Sequence, residues 1–328
     1  MSSQKSLTRR VVGLVLFVGI GLASGYVALN YRQPIIDNVK AYNYQPSSDV
    51  SSLRDDLQLT EKGLLYFDAS ETVLQTSEPF NESCQQQKET KNPILGCYYL
   101  QKIYVFNIDN EKLNGIEQTT AAHEVLHAAY ERLSSGERNS VDKELKRVYE
   151  SVRNKDLEER MAYYEKTEPG QEMNELHSIL ATEFKTLSPE LEAHYKQYFK
   201  NRGAVVAFYE KYNTAFTSVL TKSDKLLEAI DSTITRINAS IKKYNADRKS
   251  FESAISAYQS RTYTSQVESN RDFNALKARE NELNARTATI NASINEVNRL
   301  KKERNTLIGE YNELNMSINS SAKPTPSL

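Results

Sequence analysis

A chain of 328 residues has room for more than one independently packed region. Its 42 Lys and Arg nearly balance 43 Asp and Glu, leaving a formal net charge of −1, so the sequence gives no basis for a nucleic acid or an acidic polymer as partner. With 11 Gly and 8 Pro, it reads as a mainly helical protein with few turns.

Taken in chain order, the first feature is a run without charge, residues 11–29, preceded by Lys5, Arg9 and Arg10. Such a run is long enough to cross a bilayer, and the basic flank keeps residues 1–10 in the cytoplasm. The reading is a single-pass signal-anchor in the cell membrane with everything C-terminal to it extracytoplasmic. A cleaved signal peptide is the rival, because Ala23-Ser24-Gly25 offers small residues after a shorter apolar core. Residues 30–50 read as a juxtamembrane linker, and residues 51–212 as one domain.

Within that domain Leu64 to Phe67 is a short strand candidate. Residues 96–108, rich in β-branched and aromatic side chains, read as one or two strands. Cys84 and Cys97 are the two cysteines of the chain, and in an exported domain they are expected to form a disulfide. Two buried free thiols are the alternative.

His123-Glu124-Val125-Leu126-His127 is the HExxH pattern. Four residues are about one helical turn, so both imidazoles project from one face of a helix with Glu124 beside them. Two of the four histidines in the chain fall in this stretch. Asn114 and Glu117 read as a capping box ahead of the helix, and Gly136 as its stop. Val125, Leu126 and Ala129 supply an apolar face. A catalytic zinc takes three protein ligands, so a third must come from elsewhere, and Glu175, His177 and Glu183 on a downstream helix are the contenders. That helix ends near Leu187, and another begins at Ser188-Pro189 with Ser as N-cap. His177 reads as a supporting donor, a transition-state stabiliser or a core histidine. His194 reads as structural, and Tyr130, Tyr163 and Tyr164 are candidate oxyanion donors.

HExxH followed by a later helical Glu resembles the gluzincin metallopeptidases. Leu180-Ala181-Thr182-Glu183-Phe184, then Ser188-Pro189-Glu190-Leu191 and Tyr195-Lys196-Gln197-Tyr198-Phe199, is similar to the pattern of the lethal-factor and Mlc-titration-factor type. The resemblance implies an α+β zincin-like domain with Zn2+ held by His123, His127 and Glu183, and Glu175 as the next choice if the register slips. It also implies that the strand before the zinc helix pairs with an extended substrate. Zinc would polarise the scissile carbonyl and activate its bound water, while Glu124 takes the proton and passes it to the departing amine.

The last third differs in kind. Leu227, Ile230, Ile234, Ile237, Ile241, Tyr244, Phe251, Ile255 and Tyr258 follow three- and four-residue steps, with Arg248 at the one missing seam position, and a second seam runs from Phe273 to Ile318 after a polar break at residues 260–269. The expectation is an antiparallel coiled-coil hairpin over residues 213–318, on the order of 65 Å long. A parallel homodimer of long helices would satisfy the same seams. Residues 319–328 read as a disordered tail.

The expected protein is therefore a membrane-anchored extracytoplasmic zinc endopeptidase acting on proteins or peptides, with a coiled coil open to a protein partner or self-association. A non-catalytic surface or scaffold protein working through the coiled coil is the alternative. A zinc amidase acting on cell-wall peptide is a narrower third reading.

Overall fold

The computed structural model describes residues 32–84 and 93–320, together with Phe17 and Gly25. The membrane-anchor reading therefore falls almost wholly outside the described residues, and among those described no helix is long and apolar enough to cross a membrane. The protein is mainly helical with one small sheet.

Two compact units are present: residues 1–214 with 316–328, and residues 215–315. The first opens with α1 (Arg32–Asn43), α2 (Ser48–Asp56) and α3 (Glu61–Ala69). Residues 30–50 are thus not a plain linker, and Leu64 to Phe67 lie in a helix rather than a strand. The Thr60 hydroxyl caps α3 by accepting from the Gly63 N–H, and helical spacing then turns Phe67 fully into the core.

The sheet follows as β1 (Val73–Gln75), α4 (Ser77–Ser83), β2 (Gly96–Tyr99) and β3 (Lys102–Phe106). Its order is β1-β3-β2, with β3 parallel to β1 and antiparallel to β2. Leu100 and Gln101 turn the β2–β3 hairpin, both at positive φ (51° and 59°), where a right-handed strand twist is matched but non-glycine residues are strained. Cys84 and Cys97 are bonded, with Cα atoms 6.0 Å apart, and fasten the end of α4 to β2 beside Phe80 and Phe106.

A 3-10 turn (Glu111–Leu113) leads into α5 (Ile116–Glu131), the helix carrying His123 and His127. Its start is not the expected capping box. Gly115 takes the N-cap position at φ 108°, and Glu117 instead accepts the Ile108 N–H at 2.8 Å. A Cβ at position 115 would fall 2.6 Å from the Phe208 carbonyl oxygen, so only glycine fits there. Val125, Leu126 and Ala129 are buried in the main core with Ile103, Val105, Leu176, Leu180 and Tyr195.

After α5, Ser134 caps the next helix, α6 (Ser135–Val152), in a capping box with Glu137, and Gly136 sits inside its first turn instead of stopping α5. Next come α7 (Lys155–Thr167), α8 (Glu172–Glu183) and α9 (Pro189–Tyr195), the last capped by Ser188 with Pro at the first helical position. At the C-terminal end of α5, Arg132 reaches back to α1. Its guanidinium donates to both carboxylate oxygens of buried Asp37 at 2.7 and 2.8 Å and to the Tyr98 hydroxyl at 3.1 Å.

Two long helices complete the chain, α10 (Arg202–Ser260) and α11 (Gln266–Ile318). In the second unit they run back along each other. Phe216 meets Tyr311, Ile230 and Ile237 pack with Val297 and Leu300, Asp247 pairs with Arg286, and Tyr258 meets Phe273. The arms meet within one chain as an antiparallel hairpin. Its turn is closed by Arg261, which donates to Glu268 at 2.7 Å and Asp272 at 2.8 Å. Past α11, buried Ser320 exchanges hydrogen bonds with Asn81 at 2.7 and 2.9 Å, and the rest of the expected tail, residues 321–328, lies outside the described residues.

Candidate metal centre

Helix α5 offers His123 and His127 from one face, and α8, packed against it, brings Glu175 to them. His123 Nε2 lies 3.4 Å from Glu175 Oε2, and His127 Nε2 lies 3.3 Å from Glu175 Oε1. One donor atom from each of the three lies within 4.8 Å of the others, a geometry suited to a metal ion. Two ligands on a tetrahedral zinc with bonds of ~2.0–2.1 Å are separated by ~3.3–3.4 Å, and each histidine stands at that distance from a different oxygen of Glu175.

The orientation of His127 is fixed from behind. Its Nδ1 is 3.0 Å from Asn174 Oδ1 and 3.4 Å from Ser178 Oγ. Asn174 donates through Nδ2 to Gln171 at 3.1 Å, so its oxygen is the end that accepts from the imidazole. That places the His127 proton on Nδ1 and leaves the Nε2 lone pair pointing at the cluster, the tautomer a metal requires. Asn174 is one residue from Glu175 in the first turn of α8.

The cluster lies in the wall of a cavity of about 280 Å3. Thr119, Thr120 and Glu124 line it from α5. Arg160, Tyr163 and Tyr164 come from one face of α7 at offsets of three and four, and Pro93 to Gly96 from the approach to β2. Glu124 is buried, and burial raises its pKa above the usual carboxylate range, partly offset by His127 and His123. Burial also acts on Glu175, but the charges of His127 and His123 with hydrogen bonds from His123 and Tyr164 hold its carboxyl down to about 2. His123 responds in the opposite sense. Burial lowers its pKa, yet the hydrogen bond and charge of Glu175 outweigh that and raise it.

Glu183 is placed differently from the sequence expectation. It too lines the cavity, but both its oxygens accept from Arg160, at 2.6 and 2.7 Å, and it is absent from the donor cluster. It lies eight residues beyond Glu175 on the same helix, roughly 12 Å along the axis, too far for both to reach one ion. The third position in the cluster is Glu175.

His177 and His194 form a separate pair. His177 is fully buried, its Nε2 is 2.8 Å from His194 Nε2, and its ring packs against Tyr130 and Tyr195. Burial first, then neighbouring positive charge, lowers both pKa values, that of His194 to about 4. Neither histidine lines the cavity. The three tyrosines also separate. Tyr130 donates to Asp142 at 2.7 Å, away from the cavity, and Tyr164 hydrogen-bonds Glu175. The shielded Tyr163 hydroxyl has no partner among the described residues.

Sequence reasoning missed Arg160 and Asn174, and also Glu168, which lines the cavity just past the end of α7. Arg160 and the tyrosines share a helical stripe, and Asn174 adjoins Glu175, but neither signal stands out without the packing of α7 and α8. No family model, curated protein or solved structure gives a match to this chain.

Proposed function

We propose that the chain is a membrane-anchored zinc endopeptidase acting outside the cytoplasm, with His123, His127 and Glu175 as the metal ligands and Glu124 as the general base. The observation that carries this reading is the convergence of three donor atoms from α5 and α8 beside Glu124 in one cavity. When bound, zinc supplies Lewis acidity and draws the pKa of water toward neutrality. Glu124 takes the proton of the attacking water on a carboxylate oxygen and delivers it to the leaving amine nitrogen. A raised pKa suits a group that must accept a proton and release it in one cycle.

The sheet supports a peptide as substrate. Among the described residues β2 forms an outer edge, so its main chain can accept an extended segment as a further strand. Its first residue lies against the general base: a Cβ on Gly96 would fall 2.5 Å from Thr120 Cγ2 and 2.9 Å from Glu124 Oε1. A peptide paired there would run past Glu124.

Membrane anchoring is supported by the uncharged residues 11–29 with their basic flank, and the exterior location by the Cys84–Cys97 disulfide. In this reading the hairpin, which carries no comparable cluster of donors, is a coiled-coil spacer or docking arm. The test is hydrolysis of a fluorogenic casein by the zinc-loaded full-length protein in detergent. Glu124→Gln should keep its zinc and lose activity by about 10^3-fold or more. Equal hydrolysis by the variant would remove Glu124 from the chemistry, and no bound zinc in either protein would favour the scaffold reading.

A further inference from the structure

Helix α1 is fastened to the catalytic unit by one face and leaves the other bare. On the inner face Gln33 donates to Asp37 at 2.9 Å, and buried Asp37 holds Arg132 at the end of the HExxH helix. On the opposite face Ile35, Val39 and Tyr42, at helical offsets of four and three, are 53%, 56% and 90% exposed. These three apolar side chains form a stripe about 10 Å long with no cover among the described residues. Next to the start of α1 is the β2–β3 turn, where Gln101 Nε2 is 3.4 Å from Gln33 Oε1. That turn holds Leu100 at 76% exposure in a positive-φ conformation, although a leucine side chain gains nothing from solvent there.

Resting on the reading of residues 11–29 as a membrane anchor, we infer that the Ile35–Val39–Tyr42 face of α1, with Leu100 beside it, lies in the headgroup–acyl boundary of the bilayer that holds the anchor. Chain continuity selects this occupant. The apolar stretch ends at Leu29, three residues before α1 begins at Arg32. Pro34 is the third residue of α1, and its missing N–H falls among the first-turn donors that have no helical partner, so the sequence suits the start of a new helix here. The charges agree. Asp37 is consumed by Arg132, leaving Arg32 and Lys40 as the charges of α1 available to anionic headgroups. Because Asp37 grips the last turn of the HExxH helix, this contact would fix the height and tilt of the metal site above the membrane.

The experiment uses the full-length protein in vesicles of phosphatidylcholine and phosphatidylglycerol. Single cysteines replace Ile35, Tyr42, Leu100 and, as a control, Lys155 on α7, whose side chain is 90% exposed. With Cys84 and Cys97 bonded, the introduced thiol is the one that takes a polarity-sensitive fluorophore. A nitroxide carried on the lipid near the headgroup should quench the labels at 35, 42 and 100 several-fold more strongly than the label at 155. Vesicle flotation is measured on the same samples. Protein that floats while all four labels quench alike overturns the inference and leaves the anchor standing. Protein that fails to float overturns the anchor and the inference together. Labels at 35 and 42 shielded from aqueous iodide yet untouched by the lipid quencher would assign the stripe to a protein partner or a second copy, and would also overturn it.

Discussion

The two histidine pairs of the first unit show how much environment decides what one residue type can do. His123 and His127 lie side by side, ring centroids 4.7 Å apart, and both turn Nε2 toward a carboxylate in a cavity wall. His177 and His194 turn Nε2 toward each other at 2.8 Å, ringed by Tyr130, Tyr195 and Tyr198. Glu175 favours a positive charge on His123, whereas burial disfavours one on His177 and His194. The second pair also fixes its own protonation: an N–H on one Nε2 must donate to a bare Nε2 on the other. If His177 is the donor, its unpartnered Nδ1 is a lone pair rather than a stranded N–H, the cheaper of the two to bury.

The sharpest way to break this contrast is to remove one member of each pair. His123→Ala should cost zinc affinity by more than about 100-fold, while His194→Gln should leave zinc titration unchanged. Asn174→Ala comes next. Loss of the hydrogen bond that orients His127 should weaken zinc by about 10- to 100-fold without removing a ligand, read by competition with a chromogenic chelator. Gly96→Ala should lower kcat by roughly 10-fold with zinc content intact, since the new Cβ must push Glu124 or Thr120 from its place.

The smallest effect is on stability. His194 is held down to about 4, below an unfolded value near 6.5, so the unfolded chain takes up protons that the folded one refuses. Stability is therefore full above about pH 6.5 and drains as the pH falls toward about 4, by on the order of 2 kcal/mol after allowance for partial exposure. Urea midpoints measured across that window should fall for the natural chain and fall less for His194→Gln.

The contrast also explains what the sequence could reveal. The HExxH helix was legible because both imidazoles and their apolar backing lie on one element at fixed offsets. The third ligand was not, because Glu175 and Glu183 sit on the same helix and what separates them is Arg160, 23 residues before Glu183 on another helix, which occupies one of them. Leu64 to Phe67 reads as a strand when its apolar letters are taken alone; the Thr60 cap and the single inward turn at Phe67 make it helical. Helix α1 escaped notice because its inward anchor is a charged residue, Asp37, while its apolar stripe points outward, the reverse of the pattern that marks a helix on a core. The hairpin arms were the plainest, since heptad spacing over tens of residues has few other solutions.

The central claim is the identity of the third ligand, and zinc content by elemental analysis of Glu175→Ala and Glu183→Ala, side by side with the natural chain, tests it directly. The account predicts about one zinc per chain in the natural protein and in Glu183→Ala, and none in Glu175→Ala. Glu183→Ala should still lose some thermal stability, because Arg160 keeps only its longer contact with Asp156. Zinc retained by Glu175→Ala and lost from Glu183→Ala would contradict the account and return the third ligand to Glu183.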